Sequence, residues 1–338
     1  MTVPPLEFPA RALIIGAADG GPLLEPWFVR SSKEAAYIFG GGELVQAYQD
    51  AFPRLNGLEG LFLMRIETPK DQADRYEKLA QAYELLEGTA FSIILPLGVT
   101  IDSELDGVTP LVKLLRNLSP TGEGLAMIGA ERLDPSDLQA GVERLLSCER
   151  VEELRSMEDA FRVTIWPGSV LYMSDGDELR PQSPAVAAVG AVAGSTPGYG
   201  LFGKELPWVF RVETKFSAEQ RLALGRAGFC VIGETRARGP YIDQAVTASA
   251  GKLRFLDDAL AFQDALAAVK QEMIGDPINL AEIDSRLRAV LDEKVELGAL
   301  TGYDLALSVP EYETVQAEVA LGLNHSVVRI TTRVATNG

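Results

Sequence analysis

Near the C-terminus apolar residues recur every three or four positions: Phe255, Ala259, Phe262, Leu266, Val269 and Met273 step by 4, 3, 4, 3 and 4. That spacing puts one apolar face along a helix of about five turns. Gly275-Asp276-Pro277 ends it, because proline cannot continue a helix. Leu280, Ile283, Leu287, Val290, Leu291 and Val295 mark a second amphipathic helix, closed by Gly298. The two helices fall near 255–274 and 280–297. Gly302-Tyr303 then turns into an extended segment, 305–309, which 316–321 is placed to pair with. Residues 326–335 are strand-like, with no helix or loop after them for packing. A β-rich tail with no evident partner in its own chain is a candidate for donation to another chain.

Upstream the pattern changes to short apolar runs separated by helical stretches. Strands are expected at 12–15, 61–66 (LFLMRI), 91–97 (FSIILPL), 124–129 (GLAMIG), 161–166, 170–173 and 229–232. Helices are expected from Ser32, capped by Ser31, and over 43–52, 70–87, 110–118, 136–146, 184–192 and 220–227. Strands alternating with helices argue for an α/β layer with a largely parallel sheet. The expected fold is α/β (α+β overall): a central α/β sandwich with a mixed or parallel sheet. To it are added a small C-terminal α/β domain with the two amphipathic helices, and extended terminal arms. The expected divisions are an N-terminal arm and first strand (1–20), the body (21–200), a C-terminal assembly domain (201–325) and a donor-strand arm (326–338).

Composition narrows the function. The 338 residues suffice for two or three domains. No run of 18 apolar residues occurs, so no transmembrane helix is expected, and the N-terminus lacks the basic start of a signal peptide. The net charge of −17 disfavours nucleic acid and anionic membranes. Residues 319–338 hold no Asp or Glu but carry Arg329 and Arg333, so a mildly basic tail leaves an acidic body. Cys148 and Cys230 read as free thiols.

Motifs that could carry chemistry are weak. Gly198-Tyr199-Gly200-Leu201-Phe202-Gly203-Lys204 has the spacing of a phosphate loop, but Glu205 stands where Ser or Thr is needed to hold magnesium. Gly40-Gly41-Gly42 before a helix could seat an anion, yet Glu43 already satisfies that helix end. The single histidine, His325, lies in the tail, with no ligand spacing around it for zinc and no setting for a Ser-His-Asp triad. Asp257-Asp258 and Asp292-Glu293 read as paired acids on solvated helix faces. Arg236-Ala237-Arg238-Gly239 is the one compact basic cluster, suited to grip a phosphate or a partner carboxylate, or to be an exposed loop. No catalytic, cofactor-binding or metal-binding residue is expected.

The order of segments resembles the tail sheath proteins of contractile phages and of related contractile injection systems. Trp27-Phe28-Val29-Arg30-Ser31-Ser32, Tyr37-Ile38-Phe39-Gly40, then Leu44, Ala47-Tyr48, Phe52 and a strand with Arg65 are similar to the start of the sheath pattern. So are Phe91-Ser92-Ile93-Ile94-Leu95-Pro96 and the small-residue helix Pro184 to Gly194 before a Gly/Pro loop. The C-terminal match runs through Ile274-Gly275-Asp276-Pro277-Ile278-Asn279 and Gly298-Ala299-Leu300-Thr301-Gly302-Tyr303. At 338 residues the chain is short for that family, so large surface insertions are not expected.

The resemblance implies a structural subunit and no enzyme: copies polymerise around an inner tail tube protein, with baseplate and tail terminator proteins as further partners. It implies a place in the virion tail, after assembly in the bacterial cytoplasm. Terminal arms, roughly 1–10 and 326–336 here, would add strands to neighbouring subunits. The interface candidates are Val327, Val328, Ile330, Thr332 and Val334, with the buried face left open. By the same resemblance the C-terminal helices face the tube, with Arg286, Arg288 and Lys294 as candidates, unless they form pairs within their own helix. The rivals are an α/β enzyme or nucleotide-binding protein, supported by the alternation over 91–193, and a non-contractile ring-forming virion protein.

Overall fold

The structure is a computed structural model. It describes residues 11–335 apart from 52–56, 102–105, 119–123, 132, 174–177, 236, 274–279 and 312–313. The arm at 1–10, Arg236 and the helix break at 274–279 lie outside the described residues.

In chain order the elements open with β1 (Ala12–Ala17), β2 (Pro26–Val29), α1 (Ser32–Phe39), α2 (Glu43–Ala51), β3 (Leu61–Ile66) and α3 (Gln72–Leu86). Then come β4 (Ile93–Pro96), β5 (Thr100–Ile101), α4 (Thr109–Asn117), β6 (Leu125–Ala130), α5 (Leu138–Leu146) and α6 (Glu149–Ser156). β7 (Val163–Trp166), β8 (Val170–Met173), β9 (Leu179–Gln182), α7 (Pro184–Ala193), β10 (Arg211–Val212), α8 (Ala218–Arg226), β11 (Val231–Thr235) and β12 (Gly239–Gln244) follow. The chain closes with α9 (Leu256–Met273), α10 (Leu280–Glu296), β13 (Gly302–Glu311), β14 (Thr314–Gly322) and β15 (Val327–Ala335).

Short side chains with acceptor oxygens start several helices. Ser31 accepts from the Glu34 N–H, and Ser217 and Gln220 form a reciprocal capping box on α8. Gly40 and Gly42, at φ 73° and 99°, make the break between α1 and α2.

The main sheet is mixed. β3, β1, β4, β6 and β7 lie side by side and parallel, β5 adds parallel to β6, and β2 is an antiparallel edge on β3. Both faces are covered. Ala12 and Ile14 of β1 point into one apolar cluster with α1, α2 and α7, whereas Leu13 and Ile15 point into another with α3, α4 and α5. Alternation between two buried faces explains why the strands read as continuous apolar runs. Residues 201–250 also divide between these two clusters: Leu206 and Ile232 join the first, Leu224 and Phe229 the second. A third cluster begins at Leu253 and unites α9, α10 and the last three strands.

The C-terminal sheet is purely antiparallel, in the order β13-β14-β15. Here the tail departs from expectation. β15 has a partner in its own chain: it pairs with β14 from Gly322↔Val327 to Thr314↔Ala335. The link is a tight turn, in which the Leu323 N–H donates to the Ser326 carbonyl at 2.8 Å. That turn carries no glycine, and no residue in it has positive φ, so the usual hairpin signal is missing from the sequence.

Candidate assembly interface

Pairing with β14 decides which way each tail residue points. Val328, Ile330 and Thr332 are half-buried on the inner face, where Val328 and Ile330 pack on the third cluster. Val327, Arg329, Thr331 and Arg333 lie outward, and Val327 is 57% exposed. Val327 therefore differs from Val328 and Ile330: it adds nothing to the inner face. Val334 stands opposite Val315 in the register. The outer face is polar and partly cross-linked, with the Arg333 Nε donating to the Gln316 Oε1 at 2.6 Å. Among the described residues β13 and β15 are the two edges of this sheet, each with a row of main-chain donors and acceptors not paired to another strand, although Lys252 donates to the Val327 carbonyl at 3.1 Å.

The turn before β15 is fastened to the start of α9. Asp258 accepts from the His325 N–H at 3.3 Å and from the Ser326 hydroxyl at 3.4 Å, while its other oxygen lies 3.2 Å from the His325 Nδ1. The His325 ring stacks on Phe255 at 4.3 Å between centroids. Asp257-Asp258 is thus no solvated pair, because the hairpin turn covers it: the two residues are 8% and 0% exposed. The hydroxyl of Ser326 goes to the carboxylate and not to the imidazole, which is the wrong order for a nucleophilic triad.

The expected tube-facing cations are engaged within the chain. Lys294 reaches across to Asp264 of α9 at 2.8 Å, with both side chains largely buried, and clasps the two helices together. Burial holds the Asp264 carboxyl above its usual range although Lys294 pulls the other way. Arg288 pairs with Asp284 one turn away at 2.7 Å, and Arg286 approaches Glu272 at 3.9 Å.

The motifs of the nucleotide reading have structural jobs. The Lys204 ammonium donates to the Ala191 carbonyl at 3.0 Å and to the Ser195 hydroxyl at 2.5 Å, so it caps the C-terminus of α7 where a cation suits the helix dipole. Burial lowers its pKa. Arg238 holds the same loop, donating to the Gly203 carbonyl and pairing with Glu205. In the parallel sheet the strand order reverses between β1 and β4, the place where doubly wound folds bind ligands. Here a side chain of the protein fills it: Glu43 accepts from the Ala17 N–H at 2.9 Å and from Arg75 at 2.6 Å. Arg65 ties down the loop after β1 through the Ala18 and Gly21 carbonyls. A cleft of about 390 Å³ remains at the ends of β4, β6 and β7, and Glu43 and Glu213 line it. Those carboxylates disfavour a phosphate there. Cys230 is buried and its thiol is pushed up to about 12, which makes it inert. No helix among the described residues is long and apolar enough to cross a membrane.

No protein-family model and no curated protein matches the chain. Solved structures do. A sheath tail protein from Listeria innocua superposes with a TM-score of 0.70 at 11% identity, covering 97% of this chain and 96% of that one. The chain has the sheath-protein fold. A second sheath tail protein, from Desulfitobacterium hafniense, gives 0.69 at 10% identity over 99% of both chains. The contracted sheath of an extracellular contractile injection system gives 0.63 at 13% identity, over 100% of this chain and 94% of its subunit. Near-complete cover in both directions makes the likeness one of whole chains, with the helix pair and the three-stranded sheet included.

Proposed function

We propose that this protein is the structural subunit of a contractile sheath, polymerising around an inner tube and contracting by rigid-body rearrangement. The observation that carries the reading is the whole-chain likeness to sheath subunits, one of them from a contracted assembly. The role is structural and not enzymatic, consistent with a switch-point crevice filled by Glu43 and Arg75. Copies of the chain are the first partner, with the tube, baseplate and terminator proteins of a tail or injection system around them.

In the polymer, β15 leaves its own β14 and takes the same register on the β14 of a neighbour. The exchange conserves main-chain hydrogen bonds and the burial of Val328 and Ile330, as in domain swapping. Val327, Val328, Ile330, Thr332 and Val334 then form the inter-subunit seam, while the outer edge of β13 accepts a further strand. The helix pair faces the tube, and the edge of α10 that carries the half-buried Arg286 and the exposed Arg288 makes the contact.

Negative-stain electron microscopy of the intact protein and of a chain lacking residues 326–338 tests the reading. Striated hollow tubes from the intact chain alone are the expected result. Closed rings point to the non-contractile relative. Monodisperse particles from both, in the presence of the tube protein, overturn it.

A further inference from the structure

Asp257, Asp258 and His325 bring one ligating atom each to within 4.8 Å of one another. Three observations separate this cluster from an acidic helix end in water.

The first is burial. Asp257 and Asp258 are 8% and 0% exposed, and adjacent buried carboxylates are costly unless a cation balances them. Among the described residues neither forms an ion pair with Lys or Arg, and His325 is the one basic partner of Asp258.

The second is chemistry. The third group is an imidazole, and its Nδ1 lies 3.2 Å from the Asp258 Oδ1. The ligand–ligand edge of a tetrahedral site with bonds of about 2.1 Å is about 3.4 Å. The pair is already spaced as two ligands of one ion. The third is that the ring is held in place, by the stack on Phe255 and by the main-chain bond from His325 to Asp258.

We propose that Asp257, Asp258 and His325 bind a divalent first-row transition cation of the Zn²⁺ class, joining the start of α9 to the turn before β15. One nitrogen and two carboxylate donors suit such an ion, whereas Ca²⁺ takes six or more oxygens and Mg²⁺ asks for a complete octahedron. The fourth position stays open to water or to a group from a second copy. Binding does not rest on the sheath reading. Its consequence does: an ion here fixes the turn at which β15 must pivot.

Isothermal titration of Zn²⁺ into the dilute, unassembled full chain, with Mg²⁺ in the buffer, tests the site. One Zn²⁺ per chain at micromolar affinity or tighter is expected. His325→Ala and Asp257→Asn should each weaken binding at least as much as the ~10-fold that even outer-shell changes cost. Co²⁺ should give the visible bands of a tetrahedral site in the intact chain and lose them in His325→Ala. That imidazole is 43% exposed, so the variant keeps its fold and decides the matter even if Asp257→Asn does not. Failure to bind stoichiometric Zn²⁺, or variants that bind like the parent, overturns the proposal. Tubes without Zn²⁺ binding would sink this site and leave the sheath reading standing; Zn²⁺ binding without tubes would do the reverse.

Discussion

The body and the C-terminal unit satisfy their backbones in opposite ways. In the body a parallel sheet is covered on both faces, and its ligand-binding crevice is filled by Glu43, Arg75 and Arg65. In the C-terminal unit an antiparallel sheet has one face on α9 and α10, the other in solvent, and two edges left unpaired among the described residues. The first arrangement makes a rigid block. The second makes a connector, because an open edge is a standing offer of hydrogen bonds. On the proposed sheath reading, the contrast separates the part that would keep its shape in both states from the part that would hold its neighbours.

The largest test of the contrast lies in the body. Asp50 is 2% exposed and accepts from both Arg180 Nη atoms and from Gln182, linking α2 to the β8–β9 hairpin. Asp50→Ala leaves a guanidinium without its partner and should cost about 3–5 kcal/mol in urea unfolding. A loss below 1 kcal/mol, on the order of an exposed pair, would mean the block is softer than its packing indicates. Ile14→Ala, at the centre of the sheet, should cost about 2–5 kcal/mol by cavity formation.

A smaller effect with a pH signature is expected in the connector. Asp264 is an acid whose folded pKa is raised, so its contribution to stability is full below the unfolded value and is lost as pH rises through the folded one. Lys294→Ala removes the attraction that limits this. The variant should match the parent most closely near pH 4 and fall behind by about 1–3 kcal/mol at neutral pH. A parallel loss at every pH would show that the lysine acts through packing alone.

Ile330→Ala should cost the unassembled chain only about 1 kcal/mol, since the side chain is half-buried at an edge, yet it should block tube formation. Val327→Ala, on the outer face, should be nearly silent in melting, about 0.5 kcal/mol or less. Sedimentation of assembled material against thermal melts separates the two effects. Equal behaviour of the two variants would erase the assigned inner and outer faces.

Much of the block was legible in the sequence. The run at 61–66 is β3 to the residue, the serine cap at 217 stands as read, and of the two serines at the start of α1 it is Ser31 that caps. Of the face expected from Phe255 to Met273, Ala259 onward is buried as the period requires, whereas Phe255 precedes α9 and is 38% exposed. What escaped was set by distant contacts. Asp257 and Asp258 look exposed until a turn from 67 residues further along covers them. α6 was missed because ERVEELRS buries only Val151 and Leu154, too few for a visible period. The pairing of β15 with its own chain was missed because Asn324 and His325 make a hairpin turn without glycine.

That turn also sets a length scale. Four residues, Leu323 to Ser326, join β14 to β15. Pulled straight they span at most about 14 Å. A strand handed to a neighbour on so short a tether reaches only an acceptor lying that close, unless the end of β14 frays to lengthen it. If β15 is exchanged as proposed, neighbouring hairpins would have to approach each other to within roughly the width of three strands. On the proposed contraction, this spacing is the one such a lattice could change least.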